Sequence, residues 1–104
     1  MAPKTIGFKE ARRRVCQALQ NPSTIAHEER DDQQEKNLLA AGAVTPADVL
    51  EVARAANGND CEELAHHQAA SIVVHIIRRE HQGVQWYVKW YCVEPNVVFI
   101  SVHH

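Results

Sequence analysis

Four polar side chains in the last third of the chain are of the types that perform acid–base chemistry. They are His75, Tyr87, Lys89 and His103. Histidine titrates near neutral pH, so two histidines can serve one reaction as a general base and a general acid. A lysine ammonium can stabilise the negative charge that develops in a transition state. The four residues are therefore candidate catalytic residues, provided that the fold brings them to one surface.

The segment that must position these residues predicts three consecutive β-strands. They span Ile72 to Arg79, Val84 to Val93 and Val97 to His103. The residues are mostly Val, Ile, Trp, Tyr and Phe, which fit a pleated, half-buried surface. A polar link ending at Gly83 closes the first hairpin, and a turn at Pro95 closes the second. We therefore expect a three-stranded antiparallel meander.

Alternation along the second strand assigns its two faces. Val84, Trp86, Val88, Trp90 and Cys92 fall on one side, and this wholly apolar set predicts the core face. A three-residue second loop would place Tyr87 opposite His103 and Lys89 opposite Ser101, with Val98, Ile100 and Val102 in the core. In the first strand we expect Ile72, Val74 and Ile76 in the core. The open face then gathers His75, Tyr87, Lys89, Tyr91, Ser101 and His103.

Length and composition indicate one ordinary globular domain that covers residues 1–104. The chain is 45% hydrophobic and 23% charged, and no apolar run reaches the roughly 20 residues that span a bilayer. Its net charge of −2 excludes whole-domain basicity, so any RNA contact needs a local basic patch. Three scattered cysteines lack metal-ligand spacing, which favours a reduced, cytoplasmic protein with no metal or other cofactor.

The first two thirds of the chain predict helices. An apolar stripe predicts a helix from Ile6 to Leu19, and Thr45 to Asn57 predicts another, with Thr45 as N-cap and Asp48 closing a capping box. Residues 21–37 are expected to form a polar connector, and residues 59–70 fit either a short helix or an extended arm. The predicted fold is therefore α+β, with N-terminal helices packed on one face of the three-stranded meander.

The order of helices followed by a meander resembles the small bacterial RelE-like mRNA interferase toxins, and more narrowly the motility-quorum-sensing regulator (MqsR-type) toxins. The resemblance covers about residues 38–104. It is clearest in the stretch GVQWYVK that begins at Gly83, and in VFISV that begins at Val98. It implies a metal-independent endoribonuclease that acts on mRNA through the open sheet face. It also implies an antitoxin protein that neutralises the enzyme.

The resemblance places the catalytic tyrosine of the family on Tyr87, with its following lysine on Lys89. The glutamine of the first strand falls on about His75, and the C-terminal lysine on about His103. His103 and His75 would then act as base and acid, in an order that the sequence leaves open, and Lys89 would stabilise the phosphorane. Another family lysine has no counterpart, and Glu63 or His66 lies nearest to its position.

Three further residues, Arg78, Arg79 and Tyr91, are expected to contact RNA through charge and base stacking. The sequence also supports two other interpretations. The apolar strand from Val97 to Val102 would be an edge of the meander, able to pair with a partner protein or a second copy, so a non-enzymatic interaction module is the alternative function. A metal site at His66, His75 and His103 is a third hypothesis.

Overall fold

The computed structural model describes residues 7–28, 36–66, 69–93 and 96–104. Within these ranges the chain forms helices and strands that we number in chain order. The elements are α1 Gly7–Gln20, β1 Ile25–His27, α2 Leu38–Ala41, α3 Pro46–Ala55, β2 Cys61–His66, β3 Ala69–His81, β4 Val84–Val93 and β5 Asn96–His103. None of the helices in these ranges is long and apolar enough to cross a membrane.

The strands form one five-stranded mixed sheet in the order β1-β5-β4-β3-β2. β1 pairs parallel to β5, whereas the other neighbours pair antiparallel. The predicted three-stranded antiparallel meander is therefore wrong, although its strands are the three central ones. β1 is only three residues long and β2 has the sequence CEELAH, so neither carries the apolar alternation that marks a strand.

The helices pack on one face of the sheet, which we call the first face. Trp86, Val88 and Trp90 of β4 lie there in a single core with residues of all three helices. The apolar stripe of α1 is buried in this core, and so are Val49, Val52 and Ala53 of α3. The capping box of α3 is also confirmed, with reciprocal bonds between Thr45 and Asp48.

A tight turn between β3 and β4 decides which residues of β3 face the core. Gln82 and Gly83 both have positive φ, 53° and 81°, and the loop joins the His81–Val84 pair. Two such residues between paired strands form the kind of turn that suits a two-residue hairpin. This register sets Tyr87 opposite Arg78 and Trp90 opposite His75. The prediction that His75 shares a face with Tyr87 is therefore wrong.

The apolar residues of β3 are also distributed differently from the prediction. Ile77 belongs to the core under the helices, whereas Val74 and Ile76 form a second small cluster on the opposite side of the sheet. The run from Ile72 to Ile77 is apolar at five of its six positions, so alternation alone could not choose between its faces. We call this opposite side the second face.

The register predicted for the last hairpin is correct on one side of a bulge in β5 and wrong on the other side. Tyr87 pairs with His103 and Lys89 with Ser101, as predicted. The register then shifts by one residue, so that Trp90 pairs with Phe99. Ile100 is the extra residue and lies in the second-face cluster, while Phe99 and Val97 join the main core. The placement of Val98 and Ile100 in the main core was wrong for this reason.

The outer edge of β5 is covered within the chain itself. Ile25, Ala26 and His27 of β1 pair with Val97, Val98 and Phe99, and Asn37 forms a further bridge to Val102. The expectation that Val97 to Val102 forms an exposed edge is therefore wrong. The polar connector predicted at 21–37 contains this strand; its residues 29–35 lie outside the described part of the chain. The ambiguous segment 59–70 contributes β2, with residues 67–68 also outside it.

Candidate functional site

A row of three side chains crosses the second face at the level of Tyr87. The row consists of Arg78 on β3, Tyr87 on β4 and His103 on β5, which are direct cross-strand neighbours. The Arg78 guanidinium carbon lies 5.2 Å from the centre of the Tyr87 ring. The His103 ring stacks on Tyr87 with centroids 4.8 Å apart and planes 15° from parallel. The row therefore combines a cation–π contact with an aromatic stack.

Arg78 is held in this row by an ion pair with Glu62 of β2. Both side chains are about half exposed, at 53% and 45%. A surface pair of this kind contributes little to stability, because water screens it. Its effect is positional, since the carboxylate restrains the guanidinium beside the tyrosine ring.

Lys89 occupies the next second-face position along β4. It pairs with Ile76 on one side and Ser101 on the other. Two positions along a strand correspond to about 6.6 Å, so the Lys89 backbone lies that far from Tyr87. Lys89 is half-buried, and its cross-strand neighbour Ile76 belongs to the small cluster of Val74, Ile76 and Ile100. The sequence analysis thus placed Tyr87, Lys89 and His103 on one face, and the structure brings these three together.

A second polar group lies at the other end of this face, around Tyr91. His66 Nε2 and Glu28 Oε2 are 2.9 Å apart, and the His66 ring meets Tyr91 edge-on with centroids 5.3 Å apart. Burial, the charge of Glu28 and a hydrogen bond to it all raise the pKa of Tyr91. Tyr91 is therefore a neutral donor in a local network.

The contact between Glu28 and His66 shows that the sheet is strongly curved. Glu28 continues β1, since its N–H donates to the Phe99 carbonyl at 3.0 Å, while His66 ends β2. These strands are opposite edges, four spacings apart, which in a flat sheet is about 19 Å. The sheet must therefore curl toward the second face at this end. Bulges at Ala65/His66 and at Ile100 provide the bend.

His75 lies apart from these residues, on the first face. It is 3% exposed, its ring is 5.6 Å from Trp90, and its Nδ1 is 3.7 Å from Glu63 Oε1. Burial lowers its pKa, against the opposing charge of Glu63. His75 is thus a core histidine that is mainly neutral, and the sheet separates it from Tyr87, Lys89 and His103.

Arg79 also faces away from the predicted RNA surface. Its Nη1 donates to the Ala55 carbonyl at 2.6 Å and to Asp60 Oδ2 at 2.8 Å. The side chain therefore ties the C-terminal end of α3 to the turn before β2, and it satisfies a carbonyl that the helix leaves unpaired. Of the two adjacent arginines, Arg78 alone lies in the second-face row.

The hypothesis of a histidine metal site finds no geometric support. His75 lies on the opposite side of the sheet from His66 and His103. Over the described ranges, no group of three or more His, Cys, Asp or Glu side chains is arranged to hold a metal ion.

Sequence reasoning missed the roles of Glu28 and Asn37. Asn37 is fully buried, and its side chain caps α2 while contacting His27 and the Phe99 carbonyl. An asparagine directly before the apolar run from Leu38 is an N-cap signal that could have identified it. No comparable signal marks Glu28, which stands in a run of charged residues.

Comparison with known proteins leaves the family of this chain open. No protein-family model matches the sequence, and no curated protein is significantly similar to it. The geometry of the second face is consequently the basis for a functional proposal.

Proposed function

We propose that the second face binds single-stranded RNA and cleaves it as a metal-independent endoribonuclease of the toxin type. The observation that carries the proposal is the Arg78–Tyr87–His103 row with Lys89 one position away. These four side chains lie within two strand positions of each other. They supply a guanidinium, a phenol, an imidazole and an ammonium group. None of the described helices packs on this face.

RNA binding to this face would combine stacking with phosphate contacts. Proteins that read single strands stack bases on aromatic rings or on arginine planes, at about 1–3 kcal/mol per base. Arg78 and His103 already contact the Tyr87 ring. We therefore expect bases to extend the row at its ends rather than to lie on Tyr87 itself. Lys89 would bind the RNA phosphate next to a base stacked on this row.

Cleavage needs a base, an acid and a cation. In the proposed reaction, His103 removes the proton of the 2′-OH, and the 2′-oxygen attacks the adjacent phosphorus. Lys89 stabilises the charge on the phosphorane, and Tyr87 protonates the departing 5′-oxygen. The products are a 2′,3′-cyclic phosphate and a 5′-OH. Tyr87 replaces His75 as the second proton-transfer group, because His75 lies across the sheet.

The proposal includes two partners and a location. RNA is the substrate, and an antitoxin protein would keep the nuclease inactive in the cytoplasm, as in the toxins that the chain resembles. The alternative of an edge-pairing module has lost its motivating observation, since β1 covers β5. The remaining long edge, β2, carries Glu62 and Glu63 and a bulge, features that protect an edge from pairing.

The test is cleavage of labelled single-stranded RNA in the presence of EDTA. Wild type should cut, and Lys89→Gln should be slower by about 10²–10³-fold, because a donor to the transition-state charge is lost. Lys9→Gln is the matched control, since Lys9 is an exposed lysine on α1, and it should cut at the wild-type rate. Equal traces of cleavage in all three proteins would indicate a contaminating nuclease and overturn the proposal.

A further inference from the structure

A small cavity of about 230 Å³ lies between the start of α1 and the strands β2 and β3. It is lined by Phe8, Gly58, Cys61, Glu62, Glu63 and His75. A buried cavity of about 150 Å³ is large enough to hold a benzene ring, so this one has room for a ring with a short substituent. His75 belongs to the first face, so the cavity is separate from the row around Tyr87.

The imidazole of His75 is a buried polar group that lacks a hydrogen bond. Its side chain is 4% exposed, and among the described residues its ring nitrogens form no hydrogen bond. Its polar neighbour is Glu63 Oε1, which lies 3.7 Å from Nδ1 and is too distant to be a hydrogen-bond partner. Because an unpaired polar group away from water costs free energy, a ligand that bonds to this imidazole inside the cavity would be favoured.

Glu63 supplies a negative charge beside this imidazole. Its side chain is 30% exposed, so the carboxylate lies nearer to the solvent than His75 does. Within the described ranges no arginine or lysine pairs with Glu63, whereas the carboxylate of its neighbour Glu62 pairs with Arg78. In the tautomer that leaves Nδ1 of His75 unprotonated, Nδ1 and Glu63 Oε1 are two acceptors 3.7 Å apart. One nitrogen donor can bond to both at about 2.9 Å.

The rest of the cavity wall is mainly apolar. Phe8 contributes an aromatic ring. Burial, together with nearby carboxylates, raises the pKa of the Cys61 thiol to about 11, so the thiol stays protonated and behaves as a small apolar side chain. The Arg12 guanidinium lies over the Phe8 ring at 5.1 Å, and its Nη1 donates to the Ala56 carbonyl at 2.9 Å. Its charge is thus directed to the C-terminal end of α3.

We propose that this cavity binds a small primary amine with an apolar body, of the arylalkylamine class. The ammonium group donates to the Glu63 carboxylate and to the unprotonated nitrogen of His75, and the ring packs against Phe8 and Cys61. A primary ammonium has one positive charge and three donors, which matches one carboxylate beside one neutral imidazole. The site lies across the sheet from the proposed RNA surface and does not depend on RNA cleavage.

An NMR titration of the ¹⁵N-labelled full chain with benzylamine tests the proposal. We expect saturable shifts in β2 and β3 with a Kd below about 5 mM. Glu63→Gln keeps the shape of the side chain and removes its charge, so it should weaken binding by about 10-fold or more. Glu51→Gln is the matched control, because it removes a carboxylate that is 64% exposed on α3 outside the cavity, and it should leave binding unchanged. Thermal melts check that the variants fold.

Two partial ligands separate an amine site from a simple apolar cavity. Benzyl alcohol keeps the ring without the charge, and methylammonium keeps the charge without the ring. Each should bind at least 10-fold more weakly than benzylamine. His75→Phe keeps a buried ring without the acceptor nitrogen and should also weaken benzylamine binding. The proposal is overturned if benzylamine does not saturate the protein by about 50 mM, if benzyl alcohol binds as tightly, or if Glu63→Gln or His75→Phe binds like wild type.

Discussion

At the scale of single residues, Asn37 joins three parts of the fold. Its Oδ1 accepts from the Ala40 N–H at 3.1 Å, and its Nδ2 donates to His27 Nδ1 at 3.1 Å and approaches the Phe99 carbonyl at 3.5 Å. The residue is completely buried. Each of these bonds therefore compensates for the removal of polar groups from water.

Asn37→Ala should lower the free energy of unfolding by about 2–4 kcal/mol, because it removes an N-cap and leaves buried groups unpaired. Asn57 provides the control, since its side chain also accepts a capping bond, from Asn59 N–H at 2.9 Å, but is exposed. Asn57→Ala should cost less than about 1 kcal/mol. Urea unfolding of both variants measures the difference, and equal losses would show that Asn37 has no special role.

His75 gives a prediction about pH. Its folded pKa lies below the ordinary value of 6.5, mainly through burial. As pH falls below about 6.5, the unfolded chain therefore binds more protons than the folded chain. The stability that the neutral, buried His75 contributes is present above that pH and is lost below it. His27 is shifted in the same direction by burial. The bonds to Arg13 and Arg14 lower the pKa of Glu10 to about 2, so the stability that these bonds contribute is lost only at more acidic pH than that of the histidines.

We expect the free energy of unfolding to fall between pH 7.5 and pH 5.5. His75→Phe keeps a ring beside Trp90 but removes the titrating group, so its stability should change less over this interval. Guanidinium melts at several pH values provide the comparison. Parallel pH profiles for wild type and His75→Phe would contradict the assignment.

At the scale of secondary structure, the capping box of α3 gives a direct test of local sequence signals. Thr45 Oγ1 accepts from Asp48 N–H at 3.2 Å, and Asp48 Oδ2 accepts from Thr45 N–H at 2.9 Å. Thr45→Ala should cost about 0.5–2 kcal/mol, whereas Thr45→Ser keeps the hydroxyl and should cost much less. Urea midpoints that shift equally for the two variants would show that the hydroxyl is unimportant.

The elements that the sequence predicts well are those whose signals are local. The cap of α3 and the apolar stripe of α1 depend on neighbours within a turn or two, and the faces of β4 follow from strict alternation. The faces of β3 depend instead on the two-residue turn at Gln82, and those of β5 on the bulge at Ile100. These features shift the register by single residues without a clear sequence signal.

The candidate site shows the same division. Tyr87, Lys89 and His103 are predicted together correctly because they lie on the same side of the bulge, where the predicted register holds. His75 is misplaced because the run from Ile72 to Ile77 around it is apolar at five of its six positions, so only the turn fixes the faces of β3. β1 is missed because three residues are too few for a periodic pattern.

At the scale of the whole molecule, the sheet divides the chain into two chemically different sides. The helix side holds the main core, whereas the second face holds the Arg78–Tyr87–His103 row and Lys89. A net charge of −2 means that nonspecific attraction to RNA is weak. The proposed RNA binding would therefore depend on the local Arg78–Tyr87–His103 row, where we expect mutations to have the largest effect on binding.

The adjacent residues His103 and His104 offer the most direct test of this account. His103 stacks on Tyr87 on the second face, whereas the exposed His104 contacts Trp86 with ring centres 4.8 Å apart. Single-turnover cleavage of labelled RNA in EDTA, with His103→Ala and His104→Ala side by side, compares the two histidines. The account predicts a loss of about 10²–10⁴-fold for His103→Ala and a wild-type rate for His104→Ala. Equal rates for the two variants would contradict it.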